Sequence, residues 1–286
     1  MRGSSNSWGK RRKPDSAQTK VQQCHPGSGT GRLSIVGLGP GSLDLLAPAA
    51  RKAIALARVV VGYRGYIGLV EPELLKGKEV FSTGMRGEVE RCHKAIEKAL
   101  QGLDTVIVSG GDPGIYGMAG LVLELIKREC LEERVEVEVI PGIPALVAAA
   151  SLLGAPLMHD FSVVSLSDLL TPWDLILKRI KAALKADFVL VIYNPRSRKR
   201  RWQLEAVLRE VEMIRGSSVP VGIVRNAARD GQEVRIQDVK DVDPGSVDML
   251  TILIIGNSQT QVVANKMVTP RGYMEKYGDK IEMEVK

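Results

Sequence analysis

The chain has few aromatic residues: three Phe, six Tyr and three Trp make up 4% of its 286 residues. It has only three cysteines, Cys24, Cys92 and Cys130, far apart and without a C-x-x-C pair. That spacing argues against a disulfide framework or a four-thiolate cluster and fits a reducing cytoplasm. The three histidines, His25, His93 and His159, lack zinc-site spacing, so no metal is expected. No apolar run is long enough to span a bilayer, and no membrane partner is expected. The amino terminus is basic but lacks the apolar segment of a secretory signal.

Positive charge is plentiful. The formal net charge is +7 and the pI is about 9.3. This favours an anionic partner: nucleic acid, phosphate or a polycarboxylate. Part of the excess lies at Arg2, Lys10, Arg11, Arg12, Lys13 and Lys20. Residues 1–31 are rich in Ser, Gly, Lys, Arg and Gln with almost no large apolar side chains, and read as a disordered tail. A nucleic-acid-binding arm is the alternative, but no aromatics interleave the run 10–13. The length allows two domains, each with its own core.

One stretch organises the rest: Gly110-Gly111-Asp112-Pro113-Gly114-Ile115-Tyr116-Gly117. Residues 104–109 before it read as a buried strand, and 118–128 after it carry apolar residues at helical spacing. It is therefore a Gly-rich turn at the carboxyl end of a strand, where open α/β sheets bind ligands. Asp112 can accept hydrogen bonds from a ligand's amine or hydroxyls. The plainer alternative is a β–α turn with an Asp cap and an early helix proline.

The first ordered unit is a strand (33–36), a turn Gly37-Leu38-Gly39-Pro40-Gly41-Ser42, a helix opened by Pro48, and a strand (59–61) ending in Gly62-Tyr63. This βαβ pattern tempts a dinucleotide reading, but three details disagree. Ser42 stands where the third fingerprint glycine belongs, no acid follows the second strand, and Pro40 removes a backbone donor. A nicotinamide cofactor is thereby disfavoured; a ligand with one adenosine and no pyrophosphate remains possible. A helical stretch over 66–75 is interrupted by Pro72, and a strand over 79–82 follows. The helix 88–100 carries Val89, His93, Ile96 and Leu100 as its apolar stripe, which reads His93 as a packed core residue. A strand (135–140) leads to Pro141-Gly142-Ile143-Pro144-Ala145 and a helix to about 153. Residues 154–160 read as a linker. Beyond it come strands at 161–166, 188–193, 220–225, 233–237 and 249–256, helices at 172–185 and 201–214, and an edge hairpin over 262–269. The expectation is two tandem α/β domains, 32–157 and 158–286, with a site in the cleft between them.

Four loops now stand together: Gly37-x-Gly39-Pro40-Gly41, Gly110-Gly111-Asp112-Pro113, Pro141 to Ala145, and Val224-Arg225-Asn226-Ala227. In this order they resemble the tetrapyrrole methylases, the S-adenosylmethionine enzymes of corrin and sirohaem biosynthesis. The resemblance runs from about Arg32 to the carboxyl terminus. Ser82-Thr83-Gly84-Met85-Arg86, Gly114 to Met118, residues 165–173, Tyr193-Asn194-Pro195-Arg196-Ser197 and Thr269 to Tyr273 resemble one branch of it. That branch methylates C-17 of precorrin-3B or cobalt-factor III and contracts the macrocycle. The resemblance implies S-adenosylmethionine as donor, S-adenosylhomocysteine as product and a polycarboxylate tetrapyrrole as substrate. It also implies a cytoplasmic homodimer without nucleic acid. For the donor it implies Gly37, Gly39, Pro40 and Gly41; Gly110, Gly111 and Asp112; Ile115; Pro144 and Ala145; and Asn194, Asn226 and Ala227. Pro144 departs from a family Thr and offers no hydroxyl, and Asn194 replaces a Met common in relatives. Tyr63 and Met85 stand where uroporphyrinogen methylases carry an Asp and a Lys, so that acid/base pair does not carry over.

Methyl transfer to carbon needs alignment more than a metal or covalent nucleophile, and alignment can supply ~7–11 kcal/mol. Candidates for handling a proton are Tyr63, His159 and Asp160. His159 and Asp160 are adjacent, and a linker pair capping local backbone is the other reading. Arg86 can clamp a carboxylate, and Met85, Arg86, Arg196 and Arg198 are the substrate-side candidates. Positive charge over 198–201 at a helix start opposes the macrodipole, which favours a ligand role; a solvated loop is the alternative. Competing readings are a methylase of the same fold acting on RNA or a modified protein side chain, and a non-catalytic module binding S-adenosylmethionine.

Overall fold

The computed structural model describes residues 30–284. The tail expected over 1–31 lies outside the described residues, apart from its last two. The elements run β1 (Arg32–Gly37), α1 (Pro48–Leu56), β2 (Val59–Tyr63), α2 (Arg64–Ile67), α3 (Pro72–Leu75), β3 (Glu79–Thr83), α4 (Glu88–Leu100), β4 (Thr105–Ser109), α5 (Ala119–Arg128), β5 (Glu136–Ile140) and α6 (Ala145–Leu153). Then follow β6 (Gly154–Ala155), β7 (Phe161–Ser165), α7 (Trp173–Lys185), β8 (Val189–Tyr193), α8 (Gln203–Arg215), β9 (Pro220–Arg225), β10 (Glu233–Asp238), β11 (Thr251–Ile255), β12 (Gln261–Val263), β13 (Lys266–Val268) and α9 (Tyr273–Glu284).

The first sheet has the order β3-β2-β4-β1-β5 and is parallel throughout. Its central strands are buried on both faces, which is why β4 reads as an unbroken apolar run. Alternate residues face opposite sides. Leu33, Ile35, Val59, Val61 and Ile107 pack against α4 and α5. Val36, Val60, Val106 and Val108 pack with Ala50 and Ile54 of α1 on the other face.

The second sheet, β10-β9-β11-β8-β7, is mixed: β7 and β8 are parallel, and β11 runs against both β8 and β9. Helices α7 and α8 cover one face, where Ile176, Ile180, Leu204 and Val207 meet Leu190, Ile192 and Ile223. The other face is covered by α6, whose Leu146, Ala149 and Leu153 pack on Val189, Val191, Val224 and Ile254. So the last helix of the first α/β half lies on the sheet of the second. Among the described residues no helix is long and apolar enough to cross a membrane.

Three expectations need correction. His93 is not core: its side chain is 47% exposed, with Nδ1 3.2 Å from Glu129. The buried face of α4 is Arg91, Cys92, Ala95, Ile96 and Ala99, one residue round from the predicted stripe. Small Cys and Ala side chains let the helix lie close on the sheet, and a pattern weighted to large residues misses that face. The 154–160 segment is more than a linker, since β6 pairs with β13. The 262–269 hairpin therefore belongs to a separate three-stranded sheet, β12-β13-β6, not to the edge of the second.

Candidate active site

The carboxyl ends of β1, β4 and β5 carry three turns packed backbone to backbone. Gly39 and Gly111 exchange hydrogen bonds at 3.1 and 2.8 Å. A Cβ on Gly142 would lie 2.3 Å from the Gly111 carbonyl oxygen, so only glycine lets the third turn reach the second. Asp112 joins them: Oδ1 accepts from the Gly114 N–H at 2.8 Å and Oδ2 from the Gly142 N–H at 3.1 Å. It caps no helix, because α5 begins only at Ala119. Each carboxylate oxygen keeps a second lone pair for a ligand.

The second sheet brings the carboxyl ends of β8 and β9 to the same place, and antiparallel β11 brings its amino end there. Asn194 and Asn226 both take positive φ, 50° each, as the chain turns sharply off its strand. Asn194 Nδ2 donates to Ser165 Oγ at 2.9 Å, and its carbonyl accepts from Arg200 Nη2 at 2.5 Å. Tyr193 Oη accepts from the Leu146 N–H at 2.9 Å, tying β8 to the first turn of α6. Burial pushes the Tyr193 phenol up to about 12, against the opposing effect of that hydrogen bond. Tyr116 lies with its ring 5.2 Å from Tyr193 and donates to the Val163 carbonyl at 3.2 Å. Its phenol is also raised by burial.

These loops enclose a cavity of about 560 Å³. Pro40, Gly110, Gly111, Asp112, Ile115, Pro144, Ala145, Asn194, Asn226 and Ala227, from all four resemblance loops and the β8 turn, line it together. Tyr63 and Met85 line it as well. Gly37, Gly39 and Gly41 do not; they form the packed layer beneath, where Gly37 abuts Gly111 and Gly142.

Other predicted residues are placed elsewhere. His159 and Asp160 are exposed in the turn before β7, at its amino end, whereas the cavity is lined at the carboxyl ends of β8 and β9. His159 Nδ1 accepts from the Asp160 N–H at 2.8 Å, so the pair caps local backbone. Arg196 Nη1 donates to the Gly245 carbonyl at 2.9 Å, and Arg198 is exposed; neither lines the cavity. Arg200 is buried as backbone support for Asn194, and burial lowers its pKa. Arg86 is exposed at φ 68° next to Met85, just outside the lining.

The sequence reading missed Tyr66, Arg91, Arg229 and the start of β11. Arg91 is 4% exposed, donates to Thr83 Oγ1 at 2.5 Å and the Gly84 carbonyl at 3.0 Å, and stands 6.0 Å over the Tyr63 ring. Its place on an amphipathic helix gave no local signal. Tyr66 presses on Gly110, and its ring meets Tyr63 edge to face at 5.3 Å.

The family profile for tetrapyrrole (corrin/porphyrin) methylases matches residues 32–243. A probable cobalt-factor III C(17)-methyltransferase of Salmonella typhimurium is 49% identical over 241 residues, covering 84% of this chain and 99% of that protein. The cobalt-factor III methyltransferase of Priestia megaterium is 45% identical over 249 residues, 86% of this chain; the chain spans 46% of that longer protein. The crystal structure of the methyltransferase CobJ superposes with a TM-score of 0.81 at 34% identity, covering 84% of this chain and all of CobJ. Uroporphyrin-III C-methyltransferase from Thermus thermophilus, complexed with S-adenyl homocysteine, superposes at TM-score 0.60 and 25% identity, covering 79% of this chain and 97% of that one. Matched by the profile over most of its length, and aligned with nearly the whole of the Salmonella relative, the chain belongs to the tetrapyrrole (corrin/porphyrin) methylases.

Proposed function

We propose that this chain transfers a methyl group from S-adenosylmethionine to C-17 of cobalt-factor III or precorrin-3B, with contraction of the ring. The observation that carries the reading is the cavity itself, where four separated loops of the family pattern meet. The Salmonella relative's name supports C-17, and it makes the cobalt-containing acceptor the first to test. The active site is then the cleft between two α/β domains, 32–157 and 158–286. A cytoplasmic homodimer belongs to the same reading.

The residues fit such a donor. Gly110 and Gly111 offer backbone without side chains, Ala145 and Ala227 are small, and Val224, Leu250 and Ile252 give an apolar wall. In this assignment Asn194, Asn226 and Ala227 hold the adenine side. Pro40, Gly110, Gly111, Asp112, Ile115, Pro144 and Ala145 hold the ribose and amino-acid side. S-adenosylmethionine supplies an electrophilic methyl on a sulfonium that leaves as the neutral thioether of S-adenosylhomocysteine. The work of the protein is then alignment, worth ~7–11 kcal/mol in favourable cases. Tyr63 hydrogen-bonds the macrocycle from the β2 end, and Met85 and Arg86 meet it from the β3–α4 turn.

The test is anaerobic incubation with S-adenosylmethionine and each acceptor, followed by mass and absorbance spectra. The expected product has gained one methyl and shows the spectrum of a contracted ring. Binding of S-adenosylhomocysteine without turnover of either acceptor would overturn the reading.

A further inference from the structure

Arg229 sits on the turn after β9 and lines the cavity. The turn is fixed: Arg229 N donates to the Asn226 carbonyl at 2.9 Å, and Ala228 N to Gln232 Oε1 at 2.8 Å. Asn226 and Ala228 both take positive φ, an arrangement an alanine adopts only under constraint. From there the side chain crosses to the first sheet. Its Nε donates to the Pro40 carbonyl, and its stem lies on Gly41, where any Cβ would fall 2.7 Å from Arg229 Cγ.

The charged lining of the cavity is Glu88, Arg91, Asp112 and Arg229. Arg91 has Glu88 at 3.5 Å, and both oxygens of Asp112 accept backbone N–H groups. Among the described residues Arg229 has no carboxylate within ion-pair range, and of its side-chain nitrogens only Nε makes a hydrogen bond. A guanidinium with two unused Nη groups, its stem held and its charge unbalanced, is prepared for a planar anion.

We propose that Arg229 binds a carboxylate in the cavity through its Nη groups while its Nε stays on Pro40. The proposal rests on the donor reading above. The carboxylate comes either from the amino-acid end of the donor or from an acetate or propionate of the macrocycle.

The test uses the full chain with Arg229→Met and Arg229→Lys. Calorimetry measures S-adenosylhomocysteine and its decarboxylated analogue, and steady-state rates give the tetrapyrrole KM. A donor carboxylate predicts that Arg229→Met weakens S-adenosylhomocysteine by about tenfold to a hundredfold and its analogue by less than about threefold. A macrocycle carboxylate predicts unchanged donor binding and a KM raised by a similar factor at constant kcat. Arg229→Lys keeps the charge without the fork and falls between wild type and Met, so a poorly folded Met variant still leaves the proposal open to refutation. Equal weakening of product and analogue makes Arg229 a mere strap and overturns the proposal, as does no change in Kd or KM. A wild-type chain that binds no S-adenosylhomocysteine fails the donor reading first, and this proposal with it.

Discussion

Asp112 and Gly142 stand thirty residues apart and are joined by one hydrogen bond of 3.1 Å, Gly142 N–H to Asp112 Oδ2. With the Gly114 bond, this carboxylate staples the turn after β4 to the turn after β5. Asp112→Ala leaves two N–H groups without their acceptor. The expected loss is about 1–3 kcal/mol of stability, with S-adenosylhomocysteine binding weakened at least about tenfold. Asp112→Asn falls between, since an amide oxygen can serve one N–H while its NH₂ opposes the other. An unchanged melting temperature for the alanine variant would show that the staple is idle.

Two glycines predict opposite signs for the same substitution. Gly142→Ala drives a Cβ to 2.3 Å from the Gly111 carbonyl oxygen, and backbone on both sides has nowhere to go. It should cost about 1–3 kcal/mol and open the cavity floor. Gly120 lies early in α5 with nothing within 4 Å of a built Cβ. Gly120→Ala should stabilise by about 0.5–1 kcal/mol with ligand binding unchanged. Paired thermal melts decide both.

Much of this was legible in the sequence, for local reasons. A strand buried on both faces needs an apolar run, a turn needs glycine, and Pro48 sets a helix start; those rules found β1, β4, α1 and the loops. What failed depended on distant partners. Arg229 meets Pro40 across 189 positions, and no spacing rule joins them. Leu146, Ala149 and Leu153 mark α6 as apolar, but nothing local shows that it lies on the second sheet. His159 and Asp160 carry suitable chemistry and lie at the amino end of β7, outside the cavity lining, which their sequence position does not reveal. The basic run 198–201 read as a ligand contact or a solvated loop, yet its Arg200 is 7% exposed and donates to the Asn194 carbonyl, a partner that no local pattern announces.

Alkaline stability should depend on a buried thiol, Cys92, and a half-buried phenol, Tyr193. Burial raises Tyr193 from 10.0 to about 12 and Cys92 from 9.0 to about 12. Both are neutral when protonated, so the folded state holds its proton where the unfolded chain has released it. Stability from each is complete below the unfolded value and is lost as pH rises toward about 12. Denaturation free energy should fall from pH 9 upward, by no more than about 1.4 kcal/mol per pH unit for each group. Cys92→Ala should flatten the profile from pH 9 and Tyr193→Phe from pH 10. A profile unaltered by both changes would remove these groups as the cause.

Arg91 holds the turn that presents Met85. Its Nη1 serves Thr83 Oγ1 and the Gly84 carbonyl, and its charge is met by Glu88 at 3.5 Å. Arg91→Met keeps the buried volume and frees the turn, so the tetrapyrrole KM should rise about tenfold while S-adenosylhomocysteine binding changes less than about twofold. Thr83→Val removes one of the same bonds and should move KM in the same direction, by less. A variant that weakens the donor and leaves KM alone would place the turn on the donor side instead.

Arg198 tests where the macrocycle ends. It is exposed, its carbonyl accepts from Arg201 Nε at 3.1 Å, and its side chain does not line the cavity. Screened surface charge is worth little, so Arg198→Glu should shift the tetrapyrrole KM by less than about twofold at physiological salt. Arg196→Glu is a different experiment, because it also breaks the bond to the Gly245 carbonyl and should lower the melting temperature. A tenfold rise for Arg198→Glu, lost at high salt, would mean that substrate carboxylates extend over the β8–α8 loop beyond the cavity. Arg229 would then be one of several anchors, and the charge reversal would show it without disturbing the donor site.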